Sequence, residues 1–150
     1  MIRKLTVLLA TTVLAGVAVA AKLTVKDLPT AVQKTVNDTL KGGEVKNISK
    51  ETESGVTQYE IETVLNGKHR DFEVDLKGTL LVVEEETTMD SIPAAAKAAI
   101  LKKIADGKLR TVETFTKPGS ETMYEAAWTS KAGKKSEVRV KADGTETKEE

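Results

Sequence analysis

The stretch YEIETVLNGKHRDFEVDLKGT, residues 59–79, decides how this 150-residue chain folds. Apolar and polar residues alternate on both sides of Asn66-Gly67, the strongest short hairpin signal in the chain. Such period-two alternation predicts strands with one buried face and one wet face. A second stretch, YEAAWTSKAGKKSEVRVKADGT at residues 124–145, has the same order of Tyr-Glu, Gly-Lys turn, alternating ladder and Gly-Thr. One pattern therefore occurs twice.

The likeness extends beyond these two stretches, and the offset between matching positions stays nearly constant along the chain. Residues 27–32 align with residues 91–96, Gly43 with Gly107, Gly55 with Gly119, and Gly78-Thr79 with Gly144-Thr145. Self-similarity at a fixed period is the signature of repeated structure. We therefore predict a duplication, with a first repeat over residues 22–86 and a second over residues 87–150.

Each repeat is predicted to be one helix packed on an antiparallel sheet of three or four strands, an α+β fold. Asp27 and Ser91 are suitable helix caps, with a proline two residues later for the first turn. Gly43 and Gly107 are predicted to end the helices. The apolar helical stripes are Leu28, Val32, Val36 and Leu40 in the first helix, and Ile92, Ala96, Ile100 and Ile104 in the second.

One predicted strand departs from the alternation. Residues 80–83 read Leu-Leu-Val-Val and are apolar on both sides, as in a strand at the centre of a joined sheet. The matching residues 146–149 read Glu-Thr-Lys-Glu and could bury nothing. We therefore predict that the first repeat's last strand lies at the junction of the two repeats. The second repeat's last strand is predicted to be a frayed or exposed edge.

Residues 1–21 have the features of a signal peptide. Arg3 and Lys4 precede the apolar residues 5–17, and Ala18-Val19-Ala20 supplies a cleavage site, with cleavage predicted after Ala20 or Ala21. We expect a periplasmic or secreted protein with no stable membrane insertion after cleavage. The remaining chain has 21 basic and 23 acidic residues and no cysteine. A charge this close to zero gives no electrostatic case for nucleic acid as a partner.

Taken together, these residues resemble a known family. A helix starting with Leu-Pro or Ile-Pro, a Tyr-Glu strand, an Asn-Gly-Lys hairpin, an acidic strand and Gly-Thr-Leu resemble the PepSY domain. The tandem arrangement is similar to PepSY-like proteins described as beta-lactamase-inhibitor-like. The resemblance implies two sheets side by side, helices on one face, and an opposite face that grips a target enzyme. It also implies an exported, non-enzymatic binding module that restrains a protease or beta-lactamase.

The candidate partner-binding residues are those that alternate with the predicted core positions on the open sheet face. They are Glu60, Glu62, Asp71, Glu73, Asp75, Glu125, Glu137, Arg139 and Lys141. Residues 22–86 hold 9 basic and 13 acidic residues, while residues 87–150 hold 12 and 10. This polarised surface would select a partner by charge complementarity. The alternative interpretation is a solvated sheet face whose charges keep the protein soluble.

A second functional hypothesis is a periplasmic cation- or envelope-associated module that binds ligands on the acidic strands. Carboxylates could ligate Ca²⁺, although alternating positions on flat strands are widely spaced and no calcium-binding loop motif is present. The sequence predicts no catalytic residue, metal site or cofactor, because it has no evident activated nucleophile or phosphate loop. His69 is predicted to be an exposed hairpin residue. Tyr124 and Trp128 are predicted to lie in the core.

Overall fold

The computed structural model describes residues 22–53 and 55–147. The predicted signal peptide lies outside the described residues, as do the last three residues of the chain. In chain order the elements are α1 (Thr30–Leu40), β1 (Glu44–Glu53), β2 (Val56–Leu65), β3 (Lys68–Asp75), β4 (Leu80–Glu86), α2 (Ala94–Ile104), β5 (Lys108–Thr116), β6 (Met123–Thr129), β7 (Lys135–Val140) and β8 (Glu146–Thr147). A single 3-10 turn at Val25–Asp27 precedes α1.

All eight strands form one antiparallel sheet in the order β1-β2-β3-β4-β5-β6-β7-β8. Each strand therefore pairs with the strand next to it in the chain. The order of elements is a helix followed by four strands, then again a helix followed by four strands. The α+β class predicted from the sequence is confirmed. The expectation of three or four strands after each helix resolves to four.

The two helices use their apolar stripes to cover one face of this sheet. The first cluster joins Leu28, Val32 and Val36 to the strand residues Ile48, Tyr59, Ile61, Phe72 and Val74. The second joins Ile92, Ala96, Ile100 and Ile104 to Val112, Ala126, Val138 and Val140, with Tyr124 and Trp128 packed against it. Side chains alternate between faces along a strand. The carboxylate-bearing positions between these core residues must therefore lie on the opposite face.

The N-terminal ends of the two helices differ from the prediction. Pro29 and Pro93 are the N-terminal flanking residues, so each proline lies just outside the first turn. Asp27 caps the preceding 3-10 turn instead, where its Oδ2 accepts the Thr24 amide at 2.8 Å. Ser91 does not flank α2, and the amide of Ser91 bonds the Thr88 carbonyl. A proline fixes φ near the helical value without needing a hydrogen-bond partner for its nitrogen, which suits this flanking position.

Lys41 and Ala105 directly follow the two helices and adopt φ of 47° and 48°. Gly43 and Gly107, predicted as the stops, follow two residues later, and neither has a positive φ. Both glycines lie where the backbone passes close to neighbouring atoms. A Cβ on Gly107 would lie 2.7 Å from Cδ1 of Trp128. These glycines therefore leave room for the chain to pass close to β2 after α1 and close to β6 after α2.

The β4–β5 pairing is the junction between the first four strands and the last four. Residues 83–86 of β4 pair with residues 113–116 of β5, as Val83 with Thr116 and Glu84 with Phe115. The strand that contains residues 80–83 does lie in the interior of the sheet, although Val83 is the one residue of these four that pairs with β5. At the far edge β8 has only two residues, and these pair with Arg139 and Val140. The predicted exposed edge is confirmed for the described residues.

Gly78 allows a matched test of how closely the β3–β4 turn approaches α1. Gly78 and Gly67 both have positive φ, at 88° and 81°. A Cβ on Gly78 would lie 2.7 Å from the Ala31 carbonyl oxygen, whereas Gly67 has nothing within 4 Å. We expect Gly67→Ala to cost about 1 to 2 kcal/mol, from left-handed strain alone. Gly78→Ala should cost roughly twice that or more, because the helix must move. Urea unfolding measures both, and equal losses would contradict the close contact.

Candidate functional site: the open face of the sheet

The face opposite the helices, here called the open face, carries the sequence-predicted site residues. Glu60 and Glu62 lie on β2, Asp71, Glu73 and Asp75 on β3, Glu125 on β6, Glu137 and Arg139 on β7, and Lys141 directly after β7. The register pairs Glu60 with Glu73 and Glu125 with Arg139. The structure therefore brings the members of each half together. Residues of β4 and β5, which the sequence interpretation did not include, lie between the two groups.

Asp75 is the one predicted residue whose carboxylate is engaged by a turn. Its Oδ1 accepts the amides of Lys77 and Thr79, each at 2.8 Å. These backbone hydrogen bonds, led by the bond from Thr79, lower the pKa of Asp75. Asp143 accepts the Thr145 amide in the same way at 2.8 Å. Asp75 is therefore primarily a turn residue at the margin of the open face.

The centre of the open face is formed by residues that the sequence interpretation missed. Val82 and Phe115 are only 5% and 4% exposed, although they lie on the face without helices. Glu84 pairs directly with Phe115, and Glu86 pairs with Glu113. A signal for them existed in the sequence. In β5, Val112 and Phe115 have opposite parity, which places apolar side chains on both faces, as in β4.

Arg139 covers this apolar centre. Its guanidinium carbon lies 3.4 Å from the centroid of the Phe115 ring, within the range of a cation–π contact. Its Nε and Nη2 donate to Oε2 of Glu125 at 2.9 and 2.6 Å. The two side chains are only 19% and 14% exposed. Because the pair is largely withdrawn from water, removing one partner is costly, since it leaves the other charge buried without compensation.

Glu84 has the most perturbed carboxyl group of the described chain. Burial, followed by the charges of Glu125, Glu113 and Glu73, raises its pKa to about 8, while Arg139 acts weakly in the opposite direction. The physical cause is its position. Apolar Val82 and Phe115 remove water from the carboxyl group, and three acidic neighbours disfavour its charge. This position therefore favours the protonated form of Glu84 well above the pH at which a free glutamate ionises.

Three further carboxyl groups on this face have raised pKa values. Burial is the leading cause for Glu60, Asp71 and Glu113 alike. Hydrogen bonds fix several of these side chains. The Ser49 hydroxyl donates to Glu60 at 3.0 Å, the Asn47 amide to Glu62 at 2.9 Å, and the Thr63 backbone amide to Asp71 at 2.8 Å. The first half of the open face is thus an ordered acidic surface.

The other residues for which the sequence made a prediction are His69, Tyr124 and Trp128. His69 is exposed, as predicted, at the start of β3. Tyr124 and Trp128 pack against the core under α2, as predicted. Over the described ranges, no group of three or more His, Cys, Asp or Glu side chains is placed to hold a metal ion. Neither helix in the described part of the chain is both long and apolar enough to span a membrane. What the open face offers is a largely acidic surface with a stacked Arg–Phe centre.

Solved structures share this fold. A protein from Bacteroides eggerthii, provisionally described as periplasmic, superposes with a TM-score of 0.65 at 16% identity, covering 81% of this chain and 86% of that one. A BLIP-like protein from Bacteroides fragilis gives a TM-score of 0.59 at 18% identity, covering 82% and 85%. A DUF2874 family protein from Bacteroides uniformis gives 0.64 at 15% identity, covering 80% and 86%. These likenesses establish a BLIP-like fold. No protein-family model matches the chain, and neither does any curated protein.

Replacing Arg139 tests the centre of the open face. We expect Arg139→Met to lower the free energy of unfolding by about 2 kcal/mol at pH 8, because it leaves Glu125 buried without its cation. The loss should be smaller at pH 5, where the orphaned carboxyl groups can take up protons. Lys135→Met, which removes an exposed cation from the same strand, is the control and should change little. Denaturant unfolding at both pH values measures this. A loss independent of pH would contradict the charge argument.

Proposed function

We propose that this protein is an exported, non-enzymatic binding module that uses the open face to hold another exported protein. The observation that carries the proposal is that the two faces of the sheet differ in what covers them. Both helices cover one face, and the other presents ordered charged side chains around a small apolar centre. Interfaces of this kind combine a desolvated aromatic and arginine centre with a polar rim. The BLIP-like neighbour is consistent with a protein partner.

We also propose that the two halves are tandem PepSY-like repeats, residues 22–86 and 87–150. Three structural correspondences support this. The two helices have the same length, and each follows a flanking proline. The bulges at Val45/Asn47 and Leu109/Thr111 lie at matching positions in β1 and β5. Gly78 and Gly144 both approach a helix carbonyl closely, that of Ala31 and that of Ala95.

The partner class that we favour is a secreted or periplasmic hydrolase, such as a protease or a beta-lactamase, which the module restrains. The periplasmic description of one structural neighbour agrees with the export predicted from residues 1–21. The open face would supply recognition, and the partner would supply the chemistry. The charges of the open face provide selectivity. Acidic residues dominate β2 to β4, and Arg139 and Lys141 add cations near the other end of the sheet.

Affinity capture tests the binding role. The chain from Lys22 onward is immobilised, exposed to envelope extract from its own cells, and the retained proteins are identified by mass spectrometry. We expect one dominant exported enzyme, and we expect its catalytic activity to fall when the module is added. The double variant Glu60→Lys/Glu62→Lys, on the open face, should reduce capture at least tenfold.

The matched control is Asp38→Lys/Asp90→Lys, which reverses two charges on or beside the helices, where both residues are exposed. This control should capture as much enzyme as the wild type. Equal loss in both double variants would show that net charge, rather than the open face, drives capture. An empty column at low and high salt would overturn the proposal of a stable partner. If the module captures an enzyme but does not lower the activity of that enzyme, the binding role stands and the proposed restraint is wrong.

A further inference from the structure

We propose that the open face is a proton-linked surface, in which Glu84, set among the carboxyl groups of Glu113 and Glu125, is protonated in the free protein and releases its proton when a cationic protein surface docks. Docking should therefore strengthen as the pH rises. This inference rests on the proposed binding role of the open face and specifies its regulation. The partner chemistry to which it commits is a protein surface that presents lysine or arginine side chains.

The geometry that carries the inference is a cluster of carboxyl groups contributed by three adjacent strands. Glu84 comes from β4, Glu113 from β5 and Glu125 from β6, and the register pairs Glu113 directly with Glu125. The charged and titratable groups around Glu84 are Asp71, Glu73 and His69 from β3, Glu86 from β4, Glu113 from β5, Lys117 just after β5, Glu125 from β6 and Arg139 from β7. Acidic groups outnumber cations, and α1 and α2 pack on the other face.

Arg139 cannot neutralise this cluster alone. Its Nε and Nη2 both donate to one oxygen of Glu125, and its guanidinium carbon lies 3.4 Å from the centroid of the Phe115 ring. Glu84 is instead governed by burial and by its acidic neighbours, which raise its pKa to about 8. A second cation beside Glu84 would favour the charged carboxylate and expel the proton. A docking lysine or arginine supplies such a cation, which is the charge complementarity that selects the partner.

The sign of the pH dependence follows from this arrangement. A carboxyl group with a raised folded-state pKa binds a proton in the folded state that the unfolded chain has already lost. Its contribution to stability is therefore fully present below about pH 4.5 and is lost as the pH rises through about 8. For docking the direction is opposite. The complex binds fewer protons than the free protein, so the dissociation constant should fall by up to about tenfold per pH unit below pH 8.

Two measurements on the protein alone test the proton on Glu84. In the wild type, the side-chain carboxyl carbon of Glu84, followed by NMR, should titrate well above pH 6. Titration near pH 4.5 would overturn the inference, and this measurement needs no variant. The melting temperature should fall between pH 5.5 and 8.5 in the wild type. Glu84→Gln should reduce that fall, while Glu121→Gln, at an exposed hairpin glutamate, should behave like the wild type.

Binding of a hexalysine peptide, followed by calorimetry at pH 6.0, 7.0 and 8.5 in two buffers of different ionisation enthalpy, tests the linkage. We expect tighter binding at higher pH, with proton release at pH 7.0 that Glu84→Gln abolishes. Hexalysine binding without pH dependence, or unchanged proton release in Glu84→Gln, would overturn the linkage while leaving the binding role intact. If hexalysine does not bind at any pH, the proposal that the partner surface is cationic is wrong. Failure of the binding role itself would appear separately, as an empty capture column.

Discussion

The pairing of β4 with β5 is the constraint on which the rest of the molecule depends. The two apolar clusters are separate, each formed by one helix and its own strands. Four residue pairs, from Val83 with Thr116 to Glu86 with Glu113, join the two half-sheets. A unit of about 60 residues buries only about 60% of its surface and is marginal without disulfides. Joining two such units removes two exposed strand edges, which are the natural sites of aggregation.

The same pairing creates the open-face centre. Glu84 belongs to the first half of the chain, whereas Phe115, Glu125 and Arg139 belong to the second, and only their register across β4, β5 and β6 brings them together. Placing a carboxyl group between Val82 and Phe115 weakens the fold at neutral and higher pH. Local features that oppose stability are found most often where a protein binds or reacts. Neither half alone contains this combination of a desolvated acid and a stacked arginine.

Much of the fold could be predicted from the sequence, because the signals are local. Period-two alternation identified the faces of β2 and β3, and the helix stripes identified both cores. The two hairpins that the sequence predicts at matching positions, β2–β3 and β6–β7, have different turns. Asn66-Gly67 forms a two-residue turn with both φ values positive, whereas Ser130 and Lys134 enclose a three-residue loop in which Gly133 takes the left-handed position. The predicted helix ends were wrong by two residues, because prolines precede the helices and the positive-φ residues Lys41 and Ala105 follow them, in place of the expected polar caps and glycines.

The candidate site was harder to predict. The acidic residues of β2 and β3 follow from alternation, and the structure places them on the open face. The centre of the open face cannot be predicted from alternation, because it depends on the register between β4 and β5, which are separated in the chain by α2. In the sequence, the three glutamates at 84–86 resemble a solvated charged end of a strand. Only the pairing shows that Glu84 lies opposite Phe115 while Glu85 turns to the other face and contacts Arg70 at 2.6 Å.

The strand order, which follows the chain without a single crossover, also bears on how the protein folds. Every strand pairs with one that is near it in sequence, and the longest connection between paired strands contains only α2. Sheets usually fold slowly because their pairings close long loops, and rates fall as the mean sequence separation of contacts increases. Here each strand needs only its predecessor as a template. The sheet can grow from β1 towards β8, in the order in which the chain is made, without waiting for its C-terminal end.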